Sequence, residues 1–178
     1  MKKIINSFGL LAVLALIFTG CTKLNEPIFT DALIEFDAAA YHTKFGGFPF
    51  PLLSRVPRGF GRATSAAMDP VTTARTTTDT VRMRINLVGP QRTSAETVTV
   101  KISSTFTTAI EGTHFDLLDK TVTIPANSSF GIARWVIRNP GAPPAGSPTT
   151  VQVIFELVGN ESLKPSENFK YVGWTITQ

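Results

Sequence analysis

The sequence predicts an all-β protein: an antiparallel sandwich of about seven strands, carried behind an export signal. Three observations carry the prediction. From Asp79 onward, apolar and polar residues alternate in short runs rich in Val, Ile and Thr, which is the pattern of half-buried strands. Gly, Pro, Asn and Ser stand between these runs and supply turns. No long stretch beyond residue 21 keeps an apolar face at the 3.6-residue period of a helix.

The first element is the signal itself. Lys2 and Lys3 precede a nearly unbroken apolar run from Phe8 to Phe18, and small residues lead to Cys21. The run is shorter than the roughly 20 residues that cross a bilayer core of about 30 Å. The order of parts resembles a bacterial lipoprotein signal, with Phe18-Thr19-Gly20-Cys21 as its lipobox. That resemblance implies cleavage before Cys21, lipidation of Cys21, and attachment to the outer membrane of the cell envelope. A two- or three-chain anchor is enough for stable attachment. Cys21 is the single cysteine, so an intrachain disulfide is excluded. Residues 1–20 thus read as signal, 21–30 as a tether interrupted by Pro27, and 31–178 as one sandwich domain.

The strands follow in order. The first is expected near Ala32–Asp37. Val81 to Leu87 alternates without a break, and Thr97 to Ile102 repeats the signature. Thr121 to Ile124 ends at Pro125, which lacks a ladder donor. Ile132 to Arg138, Val151 to Val158 and Phe169 to Thr177 complete the set. Alternation places Trp135 and Trp174 on apolar faces, while Arg134 and Tyr171 face the other way.

One segment breaks the pattern. Residues 42–78 are too long for an ordinary connection and carry five cations against one acid. The chain beyond residue 20 holds 15 Lys and Arg against 13 Asp and Glu, a net charge of +2. The insertion therefore holds the whole positive excess, and the weak overall balance argues against a nucleic-acid partner. Three readings of the insertion stand. Its apolar residues fold back onto the sandwich; or Phe45, Phe48, Phe50 and Phe60 serve as anchors for a partner, with Arg55, Arg58 and Arg62 at the rim; or the segment meets anionic lipid headgroups or acidic glycans. Fixing a backbone residue costs roughly 1–2 kcal/mol, which favours a mobile loop or one ordered by its partner.

Residues 108–138, TAIEGTHFDLLDKTVTIPANSSFGIARWVIR, carry a recognisable order: A-x-E-G-T-H-F, a strand ending in T-I-P-A, a polar turn and a further strand. This resembles a Calx-β-like, immunoglobulin-like sandwich module, and is similar to an uncharacterised lipoprotein family of Bacteroidota that carries one. The resemblance covers roughly residues 79–177 and implies a surface or periplasmic protein, often associated with glycan uptake. Read physically, the motif is a corner that specifies the fold. Gly112 allows a turn, and Phe115 and Leu117 point to one side, where they plug the sandwich. Calcium is the functional alternative for Glu111, Asp116 and Asp119, but no dense acidic cluster supplies its six to eight oxygen ligands. Asp79-Thr80-Val81 resembles the O-glycosylation sequon of exported Bacteroidota proteins, which implies Thr80 as acceptor.

Motifs for chemistry are missing from the sequence. His42 and His114 have no second histidine at ligand spacing, and neither a nucleophile elbow nor a phosphate loop occurs. The expectation is a non-catalytic envelope protein without cofactor or metal. It binds a glycan or an envelope protein; the alternative is a structural subunit of an envelope or surface-fibre assembly.

Overall fold

The computed structural model describes residues 31–56, 71–72, 80–138 and 144–177; of 55–56 and 71–72 only the backbone is described. Among them are twelve strands and one short helix. The strands are β1 (Leu33–Phe36), β2 (Leu52–Leu53), β3 (Arg55–Val56), β4 (Val71–Thr72), β5 (Thr80–Val88), β6 (Glu96–Ile102), β7 (Phe115–Leu117), β8 (Thr121–Ile124), β9 (Phe130–Ile137), β10 (Thr150–Val158), β11 (Lys164–Pro165) and β12 (Tyr171–Thr177). The helix, α1, spans Asp37–Tyr41.

Two five-stranded sheets pack face to face. Sheet A has the order β11-β1-β5-β9-β7 and sheet B the order β2-β12-β10-β6-β8. β3 and β4 pair separately. All seven expected strands are present, and the all-β sandwich is the observed fold. The longer strands pair antiparallel, while β11 joins β1 and β2 joins β12 in parallel at two sheet edges.

Alternation decides which side chains meet. On β5, Val81, Met83, Ile85 and Leu87 are buried; on β9, Ala133, Trp135 and Ile137 are buried. Sheet B answers with Val98, Val100, Val153, Phe155, Val172, Trp174 and Ile176. Trp135 and Trp174 meet in the middle, with ring centroids 5.4 Å apart, and Phe155 packs on both. Each fully buried large side chain contributes about 1.5–3 kcal/mol of hydrophobic stabilisation. The expectation that both tryptophans are core residues agrees with their full burial.

The corner motif also behaves as read. Gly112 adopts φ +86° and its N–H donates to the Phe115 carbonyl at 2.8 Å. The buried His114 locks the turn: its Nδ1 accepts the Ile110 N–H at 2.8 Å. Phe115 then enters the core beside Trp135 and Phe155, and Leu117 is buried with it. Phe115–Leu117 is long enough to pair with Ile137–Trp135, so the short extended piece is a true edge strand, β7.

Candidate functional site

The region that stands out lies on the outer face of sheet B, where the first part of the 42–78 insertion comes to rest. Phe45 to Phe50 form a closed turn. The Phe45 N–H donates to the Phe50 carbonyl at 3.0 Å, and the Phe48 N–H to the Phe45 carbonyl at 2.9 Å. The chain then runs along the free edge of β12. The Gly173 N–H donates to the Pro51 carbonyl at 3.0 Å, and Leu52 and Leu53 pair with Gly173 and Trp174.

Phe50 occupies the centre of a second, smaller core outside the sheet. Its ring lies 5.2 Å from Phe48, 5.1 Å from Phe106 and 6.0 Å from Tyr171. Gly173 makes room for it. A Cβ there would sit 2.9 Å from Leu52 Cδ1, 3.0 Å from Ile154 Cγ1 and 3.5 Å from Phe50 Cε2. Phe106 is brought in by the chain after β6, which is sewn to β10. Gln152 Nε2 donates to the Phe106 carbonyl at 2.9 Å, and the Thr107 hydroxyl accepts the Ile154 N–H at 3.0 Å. The Tyr171 hydroxyl donates to Glu156 Oε1 at 3.0 Å, and burial, reinforced by that carboxylate, pushes the phenol above its usual range.

The outward result is an aromatic patch. Phe45 is 52% exposed at the turn tip, and its ring lies 6.1 Å from that of Phe48. Phe48, Phe106 and Tyr171 are half-buried around it. The rings are tilted or edge-on to one another, as aromatic pairs prefer.

This arrangement corrects one expectation. Phe50 is 0% exposed, because Phe48, Phe106 and Tyr171 close around it over the sheet, and it is no surface anchor. Phe45 and Phe48 are presented. Arg55 pairs through its backbone with Thr72, while Arg58, Phe60, Arg62 and Cys21 lie outside the described residues. Thr80 opens β5 and is exposed; Asp79 lies outside the described residues. Phe106 was not legible as a site residue. Gly173, a glycine inside a strand, marks the close approach of Leu52 and Phe50, but no sequence signal points to Phe106.

The acidic residues considered for calcium are each held by a cation. Glu111 lies 3.3 Å from Lys120, and Asp116 pairs with Arg138. Asp119 receives both the Nε and Nη2 of Arg134, at 2.7 and 3.0 Å, together with the Arg134 backbone N–H at 2.9 Å. Those hydrogen bonds hold its carboxyl below the usual range. Among the described residues, no three His, Cys, Asp or Glu side chains converge on a common point. Glu35 and the fully buried Asp37 share one amide. Asn86 Nδ2 donates to Asp37 at 2.9 Å and lies 3.4 Å from Glu35, so both are tied into a structural seam across β1 and β5. Also among the described residues, no helix is long and apolar enough to cross a membrane.

Comparison with known proteins finds two solved structures that are similar to this chain. A protein proposed to bind carbohydrate, from Bacteroides ovatus, is similar at 10% identity and a TM-score of 0.42, over 57% of this chain and 31% of that one. A two domain protein with unknown function from Bacteroides fragilis is similar at 7% identity and a TM-score of 0.49, over 83% of this chain and 45% of that one. The chain thus spans less than half the length of either structure. No curated protein matches it. Residues 65–172, which run from within the insertion to the second residue of β12, match a family described as Domain of unknown function (DUF4843), and the chain belongs to that family.

Proposed function

We propose that this protein is a non-catalytic binding module of the cell envelope, anchored to the outer membrane through lipid on Cys21, and that it docks a protein partner on the aromatic patch over sheet B. The observation that carries the reading is Phe45. A phenylalanine half in water at the tip of a closed turn, backed by half-buried rings, leaves apolar surface that a partner can still cover. It is the kind of rigid aromatic knob that supplies binding energy when a partner's pocket covers it. The rings lie at angles of 32° and 78° to one another and do not form one plane, which suits a pocket in a protein better than the face of a single sugar ring.

The test compares capture of envelope proteins by wild type and by a Phe45→Ser/Phe48→Ser double variant. A discrete partner lost at least about tenfold in the variant supports the reading, since two aromatic anchors each contribute more than about 1 kcal/mol. Equal recovery overturns it. Labelling with a fatty-acid analogue tests the anchor: wild type is expected to carry label and Cys21→Ala none. A Cys21→Ala protein that stays in the membrane fraction refutes it.

A further inference from the structure

A different place in the fold presents a small, fixed, polar cleft. The chain entering β1, the turn after β5 and the loop before β11 enclose about 300 Å³, lined by Asp31, Ala32, Leu33, Arg92, Ser162 and Lys164. None of these belongs to the aromatic patch.

All three walls are set in advance. Arg92 is fixed through its carbonyl, which accepts the Asn127 N–H at 2.7 Å. The 160–163 loop is wound around one side chain. Asn160 Oδ1 accepts the Ser162 and Leu163 N–H groups at 2.8 and 2.7 Å, while its Nδ2 donates to the Thr97 carbonyl at 3.0 Å. Lys164 is placed by its pairing with Leu33, and its N–H reaches the Ala32 carbonyl at 3.3 Å. A ligand entering such a cleft has little to order.

The lining also specifies a chemistry. Two cations, Arg92 and Lys164, and one acid, Asp31, line the cleft, so the lining itself carries one positive charge in excess; Glu96 stands behind it, accepting the Ser162 hydroxyl at 3.2 Å. The Arg92 guanidinium is under-satisfied: its Nε is shielded from water without an acceptor among the described residues, and its Nη2 reaches only the Ser162 carbonyl at 3.4 Å. An incoming carboxylate offers the outer N–H groups of the guanidinium charge-assisted acceptors, stronger than the long contact to the Ser162 carbonyl. The volume is at the lower end of small-molecule sites, about 300 Å³, and only Ala32 and Leu33 line it with apolar side chains. A compact, hydroxyl-rich monoanion fits. We infer that the cleft binds a sugar acid, its carboxylate between Arg92 and Lys164 and its hydroxyls toward Asp31 and Ser162.

The experiment titrates the exported chain with galacturonate, galactose and N-acetylalanine, following the Arg92 Nε–H resonance and the heat of binding. Galacturonate is expected to shift that resonance saturably, and galactose to bind about tenfold or more weakly, since it lacks the charge-assisted contact. Lys164→Gln, at an exposed side chain, is expected to weaken galacturonate binding by about tenfold. It carries the test should Arg92→Gln fail to fold. Phe45→Ser/Phe48→Ser is expected to leave galacturonate affinity unchanged, which separates this site from the partner patch. No saturable response, an equal response to galactose, or unchanged affinity in Lys164→Gln overturns the site. N-acetylalanine binding as well as galacturonate overturns the sugar assignment.

Discussion

Replacing Phe50 with Ala probes the least expected feature of the structure, the small core outside sheet B. Phe50 is fully buried, and Phe48, Phe106 and Tyr171 close around it within 5.1–6.0 Å. Truncating a buried phenylalanine costs about 3–5 kcal/mol when the hole cannot collapse. Here collapse is resisted, because the floor is the sheet itself at Gly173 and Ile154. In a domain of this size each kcal/mol moves the thermal midpoint by about 2–4 °C, so Phe50→Ala is expected to lower it by roughly 6–20 °C. Phe45→Ala is the control. With 52% of its surface in water, it is expected to change stability by no more than about 0.5 kcal/mol. Thermal unfolding followed by near-ultraviolet circular dichroism reads both, since the transition also reports the loss of tryptophan packing. If Phe50→Ala melts within about 2 °C of wild type, residues 45–53 do not form part of the cooperative unit and the reasoning fails.

Two further outcomes follow from the same geometry. Gly173→Val places carbon against Leu52 and Ile154 and displaces Phe50; overpacking of this kind costs about 1–3 kcal/mol, read as a lower urea midpoint. The Asp119 carboxyl sits below its ordinary value of 3.8, chiefly through the hydrogen bonds from Arg134. Its contribution is therefore full above that value and is lost as the pH falls through the lower folded value. Asp119→Asn is expected to be less stable than wild type at neutral pH. It should also have a flatter acid limb between about pH 5 and pH 2, the two proteins converging at the acid end. Parallel acid limbs would show that Asp119 contributes nothing through its charge.

How much of this was legible in the sequence differs from element to element. The long strands were legible because each carries its own pattern: Val81, Met83, Ile85 and Leu87 alternate with polar residues, and burial follows that alternation. The same logic placed Trp135 and Trp174 inward. The corner at Gly112 to Phe115 was legible because its turn and its plug are neighbours in sequence. What was not legible depends on residues far apart. Nothing near Phe50 says that Phe106 and Tyr171 will surround it. The insertion is ordered along Phe45 to Leu53 because backbone hydrogen bonds to β12 add to apolar burial, a contribution that composition does not reveal. The cleft is hidden for the same reason. Asp31, Arg92 and Lys164 come from three separate stretches, and the asparagine that shapes one wall, Asn160, reads in sequence only as part of a Gly-Asn turn.

The central claim is that the aromatic patch over sheet B is where a protein partner docks. The most direct measurement places a photo-crosslinking amino acid at position 45 in living cells, with position 82 on the outer face of sheet A as control. The account predicts one discrete protein adduct from position 45 that is absent from position 82. No adduct at position 45, or the same adducts from both positions, would contradict it.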